Sequence, residues 1–205
     1  ACPHAAHTPL LTSDARPRPG FFEALRAAAA AHPRAGLIAP RLEDEDGTPQ
    51  VSCFRFASPL SELIRGAATG PVTRLFRHRV VALSVDPDPT AIEWASFACI
   101  LVRGETLRDI GPMDDGYFLY FEDSEYARRA RRAGWGIVQT PEARAVHFRG
   151  GSGPVKKMQA ARKRLPAYFW RSRTRFLRQA HGPMGPLLGN MAWMLGRVIA
   201  QSRRL

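Results

Sequence analysis

The stretch "EDSEYARRARRAG", Glu122 to Gly134, reads as one helix with a start and a stop. Tyr126, Ala127, Ala130 and Ala133 recur at helical spacing, while Arg128, Arg129, Arg131 and Arg132 face the other way. Asp123 is a preferred N-cap type and Gly134 suits the C-terminal stop. Acids at the start and arginines toward the end complement the helix dipole. Strand-like runs flank this helix: Ala98 to Val102 before it, and Ile137–Gln139 and Ala143–His147 after it.

The front of the chain repeats the alternation. A short apolar run ends in Asp14, and a Pro/Gly turn follows. A helix is predicted over Phe21–Ala31, stopped by His32-Pro33. "AGLIAPRL" reads as a buried strand and "EDEDG" as a turn. Strand–helix–strand alternation predicts an α/β fold. Residues 51–89 read as a long loop with one short helical patch, and "GETLRD" as a helical turn stopped by Gly111. From Lys156 onward the chain turns helical and basic.

Composition narrows the partners. Lys and Arg number 30 against 18 Asp and Glu, a formal net charge of +12. That sign favours anionic ligands: nucleotides, diphosphates, phospholipid headgroups or nucleic acid. The basic residues are dispersed, and no helix-turn-helix, zinc finger or aromatic RNA-binding signature accompanies them, so nucleic acid is not expected. Cys2, Cys53 and Cys99 show no metal or disulfide spacing, which fits a reducing cytoplasm. The most apolar stretch, "PMGPLLGNMAWMLGRVIA", is interrupted by Pro and Gly and reads as an amphipathic surface segment. The basic segment containing Tyr168, Phe169, Trp170 and Phe176 suits either a core helix with an exposed face or a helix lying on anionic lipid.

Chemistry concentrates just before the central helix. Tyr117, Phe118, Tyr120 and Phe121 wall in Glu122 and Asp123. As helix caps, the acids need no such wall. Desolvation raises a carboxylate's pKa, and a raised pKa suits a general base. Elsewhere, Asp14 reads as a turn residue or a cation ligand. His147 reads as a structural histidine or a ligand, and "RGGSG" at Arg149–Gly153 as a common turn or a phosphate cradle.

The run from Ala95 to Gly153 resembles the second half of an inverting, family-two glycosyltransferase of the rhamnosyltransferase-like bacterial type. The resemblance rests on Gly111, Met113-Asp114-Asp115, Phe118, Tyr120-Phe121-Glu122-Asp123, Arg128, Gly134, Pro141, Ala143, His147, Gly151 and Ser152. Upstream, "LLTSDARPRPGFFEAL" and "HPRAGLIAPRLEDEDGTPQ" resemble the same family. It implies a GT-A-like α/β fold, with an incomplete mixed sheet flanked by helices and a C-terminal helical extension. On this pattern residues 1–153 form a partial catalytic domain and 154–205 a basic, partly amphipathic extension.

By the same resemblance, Asp123 is the acceptor-activating base and Glu122 its orienting neighbour. Asp14 and His147 hold a divalent metal, Mg or Mn. Trp94, Asp114 and Asp115 line the acceptor side, and Arg149 meets the diphosphate. The partners implied are a nucleoside-diphosphate sugar and a glycan or lipid-linked acceptor, at the cytoplasmic face of the inner membrane. Only 13 residues precede Asp14, where relatives carry their first strands and nucleotide pocket, and "LTSD" replaces the family's "LNPD". The expectation is therefore an N-terminally truncated enzyme of uncertain activity, whose sheet has an unpaired edge. The competing expectation is a non-catalytic basic protein that binds a membrane surface, nucleic acid or a complete transferase.

Overall fold

A computed structural model describes residues 6–148, 155, 158, 161 and 163–202. The described residues form seven strands: β1 His7–Leu11, β2 Ala15–Pro17, β3 Ala35–Glu43, β4 Cys53–Phe54, β5 Trp94–Ala95, β6 Cys99–Arg103 and β7 Gly136–His147. Five form one mixed sheet in the order β1-β6-β3-β7-β2, and β4 pairs with β5 in a separate ribbon. Only β3 and β7 run parallel; β1–β6, β3–β6 and β2–β7 are antiparallel. The helices are α1 Phe21–Ala31, α2 Pro59–Ala67, α3 Gly70–Leu75, α4 Gly104–Ile110, α5 Glu122–Arg132, α6 Ala167–His181 and α7 Gly185–Ser202. The chain is thus α/β with a central mixed sheet flanked by helices.

Two apolar layers enclose the sheet. Phe21, Leu25 and Ala29 of α1 meet Ile38, Leu42 and Ala145 on one side. Tyr126, Ala127 and Ala130 of α5 meet Leu37, Ile100, Val102 and Ile137 on the other. Leu37 and Ile38 are consecutive and both fully buried, as a strand covered on both faces requires.

Several sequence expectations change. The strands expected at Ile137–Gln139 and Ala143–His147 are one strand, β7. Its pairing with β3 jumps from Pro40↔Thr140 to Arg41↔Arg144, so residues 141–143 bulge out of register without breaking the strand. The loop expected over 51–89 holds β4, α2, α3 and a short 3-10 turn at Arg77–Arg79. Reciprocal Ser58 and Ser61 side-chain bonds cap α2, a signal that sits in the sequence "SPLSE". The C-terminal segment is not helical from Lys156 throughout, since residues 163–166 are irregular before α6. The apolar stretch after Gly182 is a continuous helix; its Pro186 lies in the first turn, where no N–H is needed.

The central helix also differs at its ends. Its N-cap is Phe121, in the left-handed region, and Asp123 lies inside the first turn. Ala133 is exposed instead of joining the apolar stripe. The arginines are not all solvated. Arg128 donates to the Ala180 carbonyl at 2.9 Å, Arg131 to that of Ile92 at 3.0 Å and Arg129 to that of Pro112 at 2.8 Å. They pin α5 to its neighbours.

Candidate active site

Two residues with unusual backbone aim the acidic pair. Tyr120 and Phe121 both have positive φ, 68° and 70°, a conformation that bulky side chains rarely adopt and that costs about 1–3 kcal/mol each. Aromatic packing from α6 holds them there. The Phe121 ring lies 5.7 Å from Phe169 and 5.5 Å from Phe176, and Tyr120 stacks on Tyr168 at 6.3 Å. Ser172 of α6 donates to the Leu119 carbonyl at 3.0 Å, and the Tyr117 hydroxyl donates to Gln179 at 2.6 Å. The aromatic wall expected around the carboxylates is therefore completed by α6. Phe169 and Phe176 belong to that core and do not face lipid.

Behind this turn Glu122 and Asp123 are poorly hydrated. Asp123 keeps some exposed surface as a residue, but its carboxyl group is densely surrounded. Burial, reinforced by the neighbouring Glu122 charge, pushes its pKa up to about 8. The N–H groups of Ser124, bonded at 2.8 Å, and of Phe97 oppose that rise without cancelling it. Burial also raises the Glu122 pKa, and its Oε2 has no hydrogen-bond partner among the described residues.

Asp14 and His147 form the second pair. The strand register sets Ala15 opposite His147, and Asp14 Oδ2 lies 3.6 Å from His147 Nε2. Gln50 orients the ring. Its amide nitrogen donates to the His147 carbonyl at 2.9 Å and to Asp44 at 2.6 Å, so its Oε1 is turned to His147 Nδ1 at 3.3 Å. An oxygen there accepts a hydrogen bond from Nδ1–H, which in the neutral ring leaves the lone pair on Nε2, facing a carboxylate oxygen. Two such acceptors are compatible when a proton or a cation lies between them. This is a suitable donor set for a hard divalent ion completed by ligand oxygens. Among the described residues no group of three or more His, Cys, Asp or Glu side chains gathers to hold a metal alone.

The two pairs meet across a dipeptide that sequence reasoning missed. Thr12 donates its N–H to the Ala98 carbonyl at 3.0 Å and its hydroxyl to Asp14 at 2.5 Å, with the hydroxyl oxygen 3.1 Å from the same carbonyl. The preceding residue, Phe97, has its N–H near enough to Asp123 to favour the charged carboxylate. Phe97-Ala98 thus tethers both acids. No side-chain type signals such a role. Gln50 was visible at the end of "EDEDGTPQ", without an assigned role.

The other expected residues are more engaged than their motif suggests. Asp114 receives Arg175 at 2.9 and 3.1 Å and Gln179 at 3.0 Å. Burial works against its charge, but bonds from Gln179, the Gly116 N–H and Arg175 outweigh burial and hold its pKa below the usual carboxylate range. Asp115 is exposed. Trp94 stacks on Phe54 at 4.3 Å and donates to the Arg55 carbonyl at 2.9 Å, so it joins β4 to β5. Arg149 and the Gly/Ser turn after it lie outside the described residues.

The described residues thus hold a desolvated carboxylate pair at the start of α5 and a carboxylate–imidazole pair at the β2–β7 edge of the mixed sheet. The chain is 32% identical over 157 residues to N-acetylglucosaminyl-diphospho-decaprenol L-rhamnosyltransferases of Mycobacterium tuberculosis strains CDC 1551 / Oshkosh and ATCC 25618 / H37Rv. The match covers 71% of this chain and 48% of each relative. The chain therefore spans about half the length of the curated relatives it matches. No family model matches it. Over the shared span the sequence is similar to these rhamnosyltransferases.

Proposed function

We propose that this chain belongs to an inverting glycosyltransferase of GT-A type. It moves a sugar, rhamnose by analogy with its relatives, from a nucleoside diphosphate to a lipid-linked glycan acceptor at the inner membrane face. Residues 1–153 form the partial catalytic unit and residues 154–205 its helical extension. The raised pKa and burial of Asp123 carry this reading. A base with a pKa near the working pH combines a usable ionised fraction with real proton affinity. Asp123 takes the acceptor hydroxyl proton as that oxygen attacks the anomeric carbon. Glu122, its partly desolvated neighbour, keeps its basicity high.

Asp14 and His147 are the residues that would hold a divalent cation, whose charge would offset that of the diphosphate leaving group. Gln50 keeps the histidine in the ligating tautomer. The single displacement needs only one base, which agrees with one strongly perturbed aspartate.

The test is transfer or hydrolysis of labelled nucleoside-diphosphate sugars with Mn²⁺ and a polyprenyl-diphospho-glycan acceptor. The expected result is turnover that Asp123→Ala reduces by at least about a hundredfold. Absence of turnover with any nucleotide sugar, or turnover that survives Asp123→Ala, overturns the reading.

A further inference from the structure

α7 is apolar on two sides, for different reasons. Gly185, Gly189 and Gly196 are buried. A Cβ at Gly196 would collide with the Leu63 carbonyl and Ala67 N–H of α2, and one at Gly66 with the Trp193 carbonyl. The glycine face therefore lets the α2 and α7 backbones touch. The opposite stripe recurs at positions 187, 188, 191, 194, 195 and 198, the spacing of one helix face. It consists of Leu187, Leu188, Met191, Met194, Leu195 and Val198, all between 47% and 62% exposed. Soluble surfaces rarely keep so contiguous a row of large apolar side chains without a partner.

The surrounding charge has one sign. From Ala143 to Leu205 the chain holds fourteen Lys and Arg and no Asp or Glu. Arg197 is exposed on α7 itself. Where α2 ends beside Gly196, the chain continues into α3 and a short turn that expose Leu75 with Arg74, Arg77 and Arg79. Among the described residues no helix is long and apolar enough to cross a membrane.

We propose that the outer face of α7 seats in the plane of a bilayer containing anionic phospholipid. Leu187, Leu188, Met191, Met194, Leu195 and Val198 enter the acyl boundary, and the flanking arginines meet the phosphates. The apolar row matches the in-plane mode of membrane binding, and the one-signed charge selects anionic headgroups over neutral ones. This inference rests on the membrane-face reading above and names the surface that delivers it. Its measurement needs neither donor nor acceptor, so failed transfer and failed docking are separable.

The experiment is co-sedimentation of the full chain with vesicles of phosphatidylglycerol and phosphatidylcholine, and with phosphatidylcholine alone. Binding to the anionic vesicles is expected to weaken as salt rises and to fall about tenfold or more in Leu188→Glu/Leu195→Glu. Because both positions face outward, the variant's circular dichroism melt should match the wild type's. Equal binding to neutral vesicles, no binding to anionic ones, or binding that the double variant retains overturns the proposal. So does sedimentation equilibrium showing a dimer that the double variant dissociates while vesicle binding is absent, since a second copy then covers the face.

Discussion

Replacing Asp123 with Asn isolates the cost of holding that carboxylate in the fold. In the unfolded chain the group ionises near 3.8, and in the folded chain near 8. Between those values the folded state keeps a proton that the unfolded state has lost, so wild-type stability falls as pH rises through this window. Below about 3.8 the group contributes nothing, and above about 8 the loss is complete. The full separation corresponds to about 5–6 kcal/mol. Asp123 retains some exposed surface, and water relaxes around a partly buried charge, so about half of that, ~2–3 kcal/mol, is expected. Asn carries no titrating proton. Urea denaturation at pH 5 and pH 9 should therefore show Asp123→Asn gaining on the wild type by about 2 kcal/mol at the higher pH, since pH 5 already lies about one unit inside the window. Taking the difference between the two proteins cancels the titrating groups that do not interact with Asp123. Glu122→Gln removes the neighbouring charge and should recover a smaller part of the same gain. A difference that does not change with pH, or an Asn variant that loses ground at pH 9, would refute the desolvation argument and the base assigned from it.

Phe169→Ala removes the ring that supports both Tyr120 and Phe121, and should cost about 3 kcal/mol in urea melts. It should also lower turnover more than its destabilisation explains, because the left-handed turn relaxes; unchanged kcat in the folded fraction would show that the turn holds itself. Arg173→Ala removes from the buried Glu62 carboxylate the partner that contacts it at 2.7 and 3.0 Å, leaving only the more exposed Arg65, and should cost about 1.5–3 kcal/mol. Adding Glu62→Gln should restore part of that loss, and a double variant no better than the single would refute the ion-pair account.

Local chemistry made much of this architecture readable in advance. α1 begins and ends where Phe21 and His32-Pro33 place it, and β3 and β6 fall within a residue of their apolar runs. The Asp14–His147 contact was legible through a motif, since 132 residues of chain separate the two. What escaped was set by tertiary contacts. The cap of α5 is a strained aromatic because α6, far along the chain, clamps it. Asp114 sits in an acidic motif, yet its partners Arg175 and Gln179 lie on that same distant helix. α2 looked like loop because its stabilising surface is the glycine face of α7, which helix propensity alone marks as unfavourable.

The Phe97-Ala98 tether limits how this protein can move. Ala98 is followed directly by Cys99–Arg103, a strand bonded on both sides and buried almost throughout. A hinge cannot fall between the two acidic centres without tearing that strand from the sheet. Opening and closing around a ligand must then come from segments outside this yoke.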